Sequence, residues 1–404
     1  MNTSATDPVS VNCYTSGIQV LWSETANTDQ LCSRIGDIAD KQDIAIAIIW
    51  FSASRHAPEQ LVTGLRQRSP TLTFCGCSTS GEVTPDGMQE QGFIAVLLPA
   101  RWFNAQSVVM QDAASLGMEN IAGITAEHRK RFLDTLPHPD ETHTQFALLL
   151  IDGLSYSEET VTVAIDRGLD GIPLIGGSAG DDLLFEKTWQ ISNDQVMSGA
   201  AILTLIDCQL PFKLFTNNNF APTEHKLVVT EADPDLRRVS EFNAEPAAVA
   251  YANAIGMSPE ELDSGSFASY SVIVRFGGEH YSRSIQQLNE DMSLTFFCAI
   301  DNGLVMTVAR SEGMVESSRQ AIDALEQEIG PIDLIVGFDC IYRKLDARHR
   351  QTTHRIAELY REKRFVGFNT YGEQFNSMHI NQTFTGIAIG TPSESSPEDE
   401  CHHE

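Results

Sequence analysis

A seven-residue turn that contains glycine occurs three times in this sequence, and it constrains the fold more than any other feature. Each copy begins with Gly, has Ser or Asn two residues later, and reaches an acidic residue six positions after that Gly. Glycine permits backbone conformations and close approaches that other residues resist, so such turns suit strands that pack tightly. The copies are Gly76–Glu82, Gly176–Asp182 and Gly367–Glu373. We therefore predict a chain built from three related units.

An apolar strand and a helix precede each copy of the turn. The first strand of each unit is a continuous apolar run, which indicates that both of its faces are buried. These runs are Ile44–Ser52, Phe146–Ile151 and Leu334–Cys340. A helix, a second strand, the glycine turn and a returning strand follow each run. This order predicts an α/β fold of repeated strand-helix-strand units with mixed sheets.

The second half of the chain also contains a stretch of different character. Its segments have the composition of half-exposed antiparallel strands, which predicts an antiparallel-strand insertion there. The segments are Ser269–Phe276, His280–Ile285 and Leu294–Ala299. We place a domain boundary near residue 230. The predicted organisation is an N-terminal segment (1–27), two domains (28–230 and 231–390) and a disordered acidic tail (391–404).

Local signals also predict how two helices begin and extend. Ser157, Glu158 and Glu159 have the composition of a helix N-terminal cap. A single helix is predicted over Ala347–Lys363, with His349 near its apolar face.

The net charge of −28 excludes several classes of partner. Nucleic-acid binding needs clustered Lys and Arg, and an anionic membrane surface repels an acidic protein. The first residues lack the features of a signal peptide, and no apolar run approaches the ~18 residues of a membrane helix, so we expect a cytoplasmic protein. Cysteines within apolar segments are expected to be buried reduced thiols: Cys75, Cys208, Cys298 and Cys340.

The turns and two further motifs resemble those of the FIST family of bacterial signal-input proteins. The further motifs are Tyr-x-Arg-Ser at Tyr281–Ser284 and His-x-x-x-Thr at His379–Thr383. The resemblance covers nearly the whole chain and implies a FIST N domain followed by a FIST C domain. The length and closing sequence of this chain are most similar to those of the haem-binding, nitric-oxide-sensing members of the family. The resemblance then implies a haem sensor that modulates a partner histidine kinase, and through it cyclic-di-GMP signalling and biofilm behaviour.

A haem site needs an axial ligand and an apolar slot for the macrocycle. The chain has no Cys-x-x-Cys-His motif, so non-covalent haem b is the expected form. His379 is the first choice for the iron ligand, and His280 and His349 are lower-ranked alternatives. The competing interpretation is that His379 only holds its loop by hydrogen bonds. Other residues expected to bind the cofactor are Tyr371, Phe375, Met378 and Arg283.

A small-ligand sensory module without haem, binding an amino acid, fits the same sequence. The planar guanidinium of Arg283 suits a carboxylate, whether of a propionate or of an amino acid. The acids of the turns would hold an amine or the loops themselves: Glu82, Asp181, Asp182 and Glu373.

Enzyme signatures are weak in this chain. The run Gly176–Gly180 is similar to the Gly-x-Ser-x-Gly elbow of hydrolases, with Ser178 as its serine. No convincing helix follows it, and a sister turn has Asn369 in place of the serine, so we expect no enzyme activity. The sequence contains no recognisable kinase, cyclase or DNA-binding segment. Output is therefore expected through protein contact, with a histidine kinase as partner, and a homo-oligomer is left open.

Overall fold

The computed structural model describes residues 7–137, 144–276 and 278–392. Within these residues the same order of elements occurs three times: an edge strand, a helix, a strand, a second helix, a strand, the glycine turn with a short hairpin, and a returning strand. The predicted α/β fold of repeated units with mixed sheets is therefore confirmed. Most of the predicted acidic tail, 393–404, lies outside the described residues.

The first unit occupies residues 10–99. Its elements are β1 (Ser10–Cys13), β2 (Gln19–Ser23), α1 (Thr28–Ala39), β3 (Ile44–Phe51), α2 (Pro58–Arg68), β4 (Phe74–Ser78), β5 (Glu82–Thr84), β6 (Gly87–Gln89) and β7 (Phe93–Pro99). A capping box between Asn27 and Gln30 fixes the start of α1. Pro58 at the first position of α2 has its missing N–H where no partner is needed.

The second unit occupies residues 103–208 and repeats this order. Its elements are β8 (Phe103–Met110), α3 (Ala113–Leu116), α4 (Met118–Leu133), β9 (Gln145–Ile151), α5 (Glu158–Leu169), β10 (Leu174–Ser178), β11 (Gln190–Ser192), β12 (Gln195–Met197) and β13 (Ala201–Cys208). In both units the two central strands pair in parallel across a helix, and the last strand returns antiparallel.

The third unit is interrupted after its edge strand, β14 (Phe212–Asn217), by the predicted antiparallel insertion. The insertion comprises β15 (Phe220–Asp233), β16 (Arg238–Phe242), β17 (Glu245–Pro246), α6 (Ala247–Ile255), a 3₁₀ turn (Pro259–Glu261), α7 (Ser264–Ser269), β18 (Tyr270–Phe276), β19 (Glu279–Arg283), β20 (Ile285–Leu288), β21 (Leu294–Phe296) and β22 (Val305–Ser311). The unit then continues with α8 (Met314–Ile329), β23 (Ile332–Cys340), α9 (Ile341–His349), α10 (Thr353–Glu362), β24 (Phe365–Thr370), β25 (Glu373–Phe375), β26 (Met378–Ile380) and β27 (Phe384–Gly390).

Each unit gives its hairpin to the sheet of another unit. The hairpin β5–β6 of the first unit pairs with β24 of the third, β11–β12 of the second pairs with β4 of the first, and β25–β26 of the third pairs with β10 of the second. The exchange is cyclic, so each of these three sheets is completed by a hairpin from a different unit. The three glycine turns therefore meet at the centre of the molecule, on top of one shared apolar core.

The structure corrects one predicted helix. The segment predicted as a single helix over Ala347–Lys363 belongs to two helices, α9 and α10, with the break at residues 350–352. Gln351 has a φ of 57°, which an α-helix cannot contain. His349 is consequently the last residue of α9 and is exposed, where the sequence predicted a position near an apolar face.

The predicted state of the cysteines is confirmed for Cys75, Cys208, Cys298 and Cys340, which are free and buried. Among the described residues, the longest helices are far too short and polar to cross a bilayer.

Candidate functional site

Backbone hydrogen bonds join the three glycine turns into a ring. In each turn the N–H of the fifth residue donates to the carbonyl of the third residue of a neighbouring turn. These bonds are Gly180 N to Ser78 O (3.0 Å), Tyr371 N to Ser178 O (3.3 Å) and Ser80 N to Asn369 O (3.3 Å). The small residues that the turns share let three backbones approach this closely. The turns are thus the structural centre of the fold, and they place Tyr371 at its middle.

Two acids of the turns hold the ring from inside. Glu82 accepts from the Gly92 N–H at 2.7 Å and pairs with the Thr79 hydroxyl at 2.5 Å. Glu373 makes the equivalent bonds, to Thr370 and to both the N–H and the hydroxyl of Thr383. Burial raises the pKa of Glu82 to about 7 and that of Glu373 to about 8. The sequence left two roles open for these acids, holding a ligand amine or holding the loops, and Glu82 and Glu373 hold the loops.

His379 lies on β26 opposite Gln374, just behind the third turn. Its side chain is 5% exposed, and its Nε2 has no hydrogen-bond partner among the described residues. The side-chain amide of Gln374 lies 3.1 Å from Nδ1 and also contacts the buried Ser178 hydroxyl. A Cβ on Gly372 would lie 2.8 Å from Nε2, so only glycine permits the imidazole to sit there. The His379 imidazole is thus held through Nδ1, and its Nε2 has no partner among the described residues.

Charged groups from both halves of the chain face this imidazole. The Arg237 guanidinium, itself buried, pairs with Glu158 and Glu159 at 2.6 Å each. Burial lowers the pKa of His379, and the carboxylates of Glu159 and Glu158 offset that effect only in part. The imidazole is therefore neutral at pH 7, which is the form that binds metals.

Tyr371 brings an aromatic cluster to the same region. Its ring stacks on Phe185 at 5.0 Å and lies 6.2 Å from Phe297. Its hydroxyl donates to Asp181 at 2.5 Å and accepts from the Leu183 N–H at 2.9 Å. Burial and the Asp181 hydrogen bond raise the pKa of Tyr371, so it stays a neutral donor.

Backbone strain is concentrated around this cluster. Five non-glycine residues from three segments have left-handed φ values between 51° and 65°. They are Tyr156, Asp182, Leu183, Phe185 and Arg237. Such conformations persist only where surrounding contacts hold them, and they occur often at ligand sites.

The structure separates some of the predicted site residues. Phe375 and Met378 form the cross-strand pair next to Gln374 and His379, so they point to the opposite face of the hairpin. Arg283 on β19 is half-buried, and its charge reaches His379 and Cys298. His280 lies on the same strand but on the other face from Arg283. The residues brought together are therefore His379, Tyr371 and Arg283.

Two functional groups have no clear signal in the sequence. Arg237 lies 79 positions from Glu158 along the chain, and nothing local marks it as a buried partner. Lys344 is buried on α9 and donates to the Ser80 carbonyl at 3.1 Å, beneath the first turn. Burial lowers the pKa of Lys344, although Glu82 and Asp182 oppose the shift. The only sequence signal is its position four residues after a buried strand.

Comparison with known proteins defines the class. Residues 46–245 match the FIST N domain and residues 247–376 match the FIST C domain. FIST domains are sensory domains of signal transduction. The chain belongs to the family of proteins that carry these two domains. It is also similar to an uncharacterised protein of Methanocaldococcus jannaschii, with 27% identity over 191 residues, which cover 47% of this chain and 36% of that relative. The match thus spans little more than a third of the relative's length.

Proposed function

We propose that the protein is a haem-binding sensor of nitric oxide of the type called NosP, with His379 as the iron ligand. The observation that carries the proposal is the free Nε2 of a buried, neutral imidazole whose Nδ1 faces a side-chain amide. The Gln374 amide nitrogen is the atom that lies against Nδ1, so the Nε2 lone pair becomes free for iron when this amide turns over and its oxygen accepts the Nδ1 proton. A second-shell partner of this kind is usual for a metal-binding histidine.

The neutral His379 imidazole has the donor chemistry that a haem iron needs. The side chains around it are closely packed. Because the ring is nearly fully buried, a macrocycle reaches Nε2 only after the elements packed against β26, which are α5 and β19, move apart. Arg283 is half-buried beside the imidazole and would pair with a propionate. Bound haem would supply the iron to which nitric oxide binds.

The signal is proposed to pass to a histidine kinase by protein contact in the cytoplasm, and from it to cyclic-di-GMP output and biofilm behaviour. The sensory role of FIST domains supports this part of the proposal. Tyr371 and Phe185 give it a physical route, because Tyr371 adjoins Gly372 behind the imidazole and Phe185 lies partly at the surface. A shift of the β25–β26 hairpin would thus reach the surface through two stacked rings.

Absorption spectroscopy tests the haem proposal. Protein expressed with adequate haem is expected to show a Soret band that shifts when nitric oxide is added. Replacing His379 with alanine removes the iron ligand and should weaken haem binding by about tenfold or more. The matched control is His349→Ala, which removes an exposed imidazole and should leave the spectrum unchanged. Protein that shows no Soret band and takes up no haem contradicts the proposal, and an unchanged spectrum in His379→Ala transfers the ligand role to His280.

A free amino acid is the second candidate ligand, and Arg283 favours it. No described carboxylate lies within ion-pair distance of this half-buried guanidinium, which among the described residues donates only to the Ser282 carbonyl, at 3.5 Å. Glu159 is 31% exposed at the side chain and its charge reaches the imidazole, so this carboxylate, which also pairs with Arg237, could hold an ammonium group.

Thermal-shift measurements separate the two ligands. If an amino acid is the ligand, it should raise the melting temperature by several degrees at saturating concentration, whereas haem should not. Arg283→Ala should abolish that rise, and Arg275→Ala, an exposed arginine on the neighbouring strand β18, should preserve it. A rise that survives Arg283→Ala removes Arg283 from the site.

A further inference from the structure

Four large apolar side chains are exposed on the surface near the Tyr371 cluster, where a ligand would have to enter. Leu184 is 62% exposed, Leu236 60%, Tyr156 53% and Phe185 40%. We refer to these four residues as the entrance patch. They come from three different loops. Single exposed apolar residues are ordinary on protein surfaces, so these four indicate an interaction site only because they are close together.

Two residues, Arg237 and Phe297, link the loops that carry the patch. Arg237 lies 5.0 Å over the Tyr156 ring, follows Leu236 in the chain, and donates to the Phe297 carbonyl at 2.5 Å. Phe185 in turn lies 6.2 Å from the Phe297 ring. Each of the three loops has a residue with a left-handed φ, at Tyr156, Phe185 and Arg237, and such conformations persist only where surrounding contacts hold them.

An acidic cleft adjoins the patch. It has a volume of about 470 Å³ and shares Leu236 with the entrance patch. Glu231 and Asp233 supply its carboxylates, and both are exposed. Its one arginine, Arg238, is paired with Asp291. A cation entering the cleft therefore meets carboxylates that have no described ion-pair partner.

We propose that the entrance patch and the acidic cleft together form the docking surface for a basic, amphipathic segment of the signalling partner. The partner's apolar side chains cover the patch, and its Lys or Arg side chains enter the cleft beside Glu231 and Asp233. This inference rests on the proposed function in one respect: it takes the protein to be a sensor that acts by contact with a partner. The net charge of −28 steers a basic partner to the surface and repels a second copy, which would bring the same acids.

Phe185 joins this surface to the ligand site. One face of its ring stacks on Tyr371, while the side chain is still 40% exposed. A ligand that displaces Tyr371 changes how Phe185 is presented to the partner. The same residue thus serves in recognition and in transmission of the signal.

A synthetic peptide probes the chemistry of the surface directly. The probe is a labelled helical peptide of ~18 residues with Leu at i, i+3, i+4 and i+7 and Lys elsewhere. We expect it to bind, to bind more weakly as salt rises, and to lose affinity when every Lys is replaced by Glu. Leu184→Asp and Leu236→Asp should each weaken binding by about tenfold or more. Both side chains are mostly exposed, so these variants should fold normally.

Met118→Asp is the matched control. Met118 is an exposed apolar residue at the start of α4. Its neighbour Glu119 pairs with Arg167 near the C-terminal end of α5, whereas Tyr156 precedes the N-terminal end of that helix. It should bind the peptide like the unmodified protein. Glu231→Lys should weaken the Lys peptide and improve binding of the Glu peptide, because it reverses the charge of the cleft.

Three results would overturn the docking surface. One is unchanged peptide affinity in Leu184→Asp and Leu236→Asp, and another is an equal loss in Met118→Asp. The third is sedimentation showing that the protein is a dimer that Leu184→Asp dissociates, since a second copy would then be the occupant. None of these measurements involves haem, so a protein without a Soret band that still passes them contradicts only the proposed function.

Discussion

Replacing Arg237 with alanine is expected to lower the free energy of unfolding by about 3–5 kcal/mol. The change leaves the carboxylates of Glu158 and Glu159 without their cation, and the Glu158 side chain is almost fully buried. A buried charge without a partner is far more costly than an exposed one. The pKa of Arg237 reflects the same balance, because burial alone would lower it and the two carboxylates raise it instead. Urea titration at pH 7 measures the loss.

The next residue along the chain supplies the control. Arg238 also pairs with an acid, Asp291, but both side chains are at least one-third exposed, so Arg238→Ala should cost less than about 1 kcal/mol. Adding Glu158→Gln to Arg237→Ala should recover part of the stability, since it removes one of the stranded charges. Similar losses in Arg237→Ala and Arg238→Ala would show that burial of this ion pair contributes nothing.

This ion pair also shows what local sequence cannot reveal. Ser157, Glu158 and Glu159 have the composition of a helix cap, yet Ser157 makes no capping bond and both glutamates face Arg237. Their partner is brought close by the way the insertion packs on α5, and that packing has no signature in either segment. The cyclic hairpin exchange is hidden for the same reason. A hairpin pattern predicts two paired strands but not which sheet they join.

Other features follow from patterns that short segments do carry. The three turns, the apolar strands that precede them and the insertion were predictable because each is a local pattern of period and composition. The position of His379 near Tyr371 follows from the third turn. The opposite orientation of Phe375 and Met378 was available from strand alternation: a two-residue turn at Asn376 and Ser377 pairs His379 with Gln374. Burial of the imidazole needed the whole fold.

The second large effect concerns pH and Glu373. Burial raises the pKa of this carboxyl from 4.5 to about 8 in the folded protein. Below pH 4.5 it is protonated in both states. Between pH 4.5 and 8 the unfolded chain loses the proton first, so the folded state loses stability as pH rises, on the order of 5 kcal/mol in total. Above pH 8 the loss is complete and constant.

Glu373→Gln should remove this dependence while keeping the hydrogen bonds. The amide oxygen still accepts from the N–H and hydroxyl of Thr383, and the amide nitrogen donates to Thr370. Urea titrations at pH 4, 6 and 9 should therefore find the variant equal to the unmodified protein at pH 4 and clearly more stable at pH 9.

Two other glutamates make the assignment specific. Glu82→Gln should show the same rise, but it should level off near pH 7, because the pKa of Glu82 is about 7. Glu186→Gln, which changes an exposed carboxyl, controls for the substitution itself. A constant difference in Glu373→Gln would mean that the carboxyl is ionised inside the fold. The three turns would then be held together around a buried negative charge, and the hydroxyls of Thr370 and Thr383 would have to act as its donors.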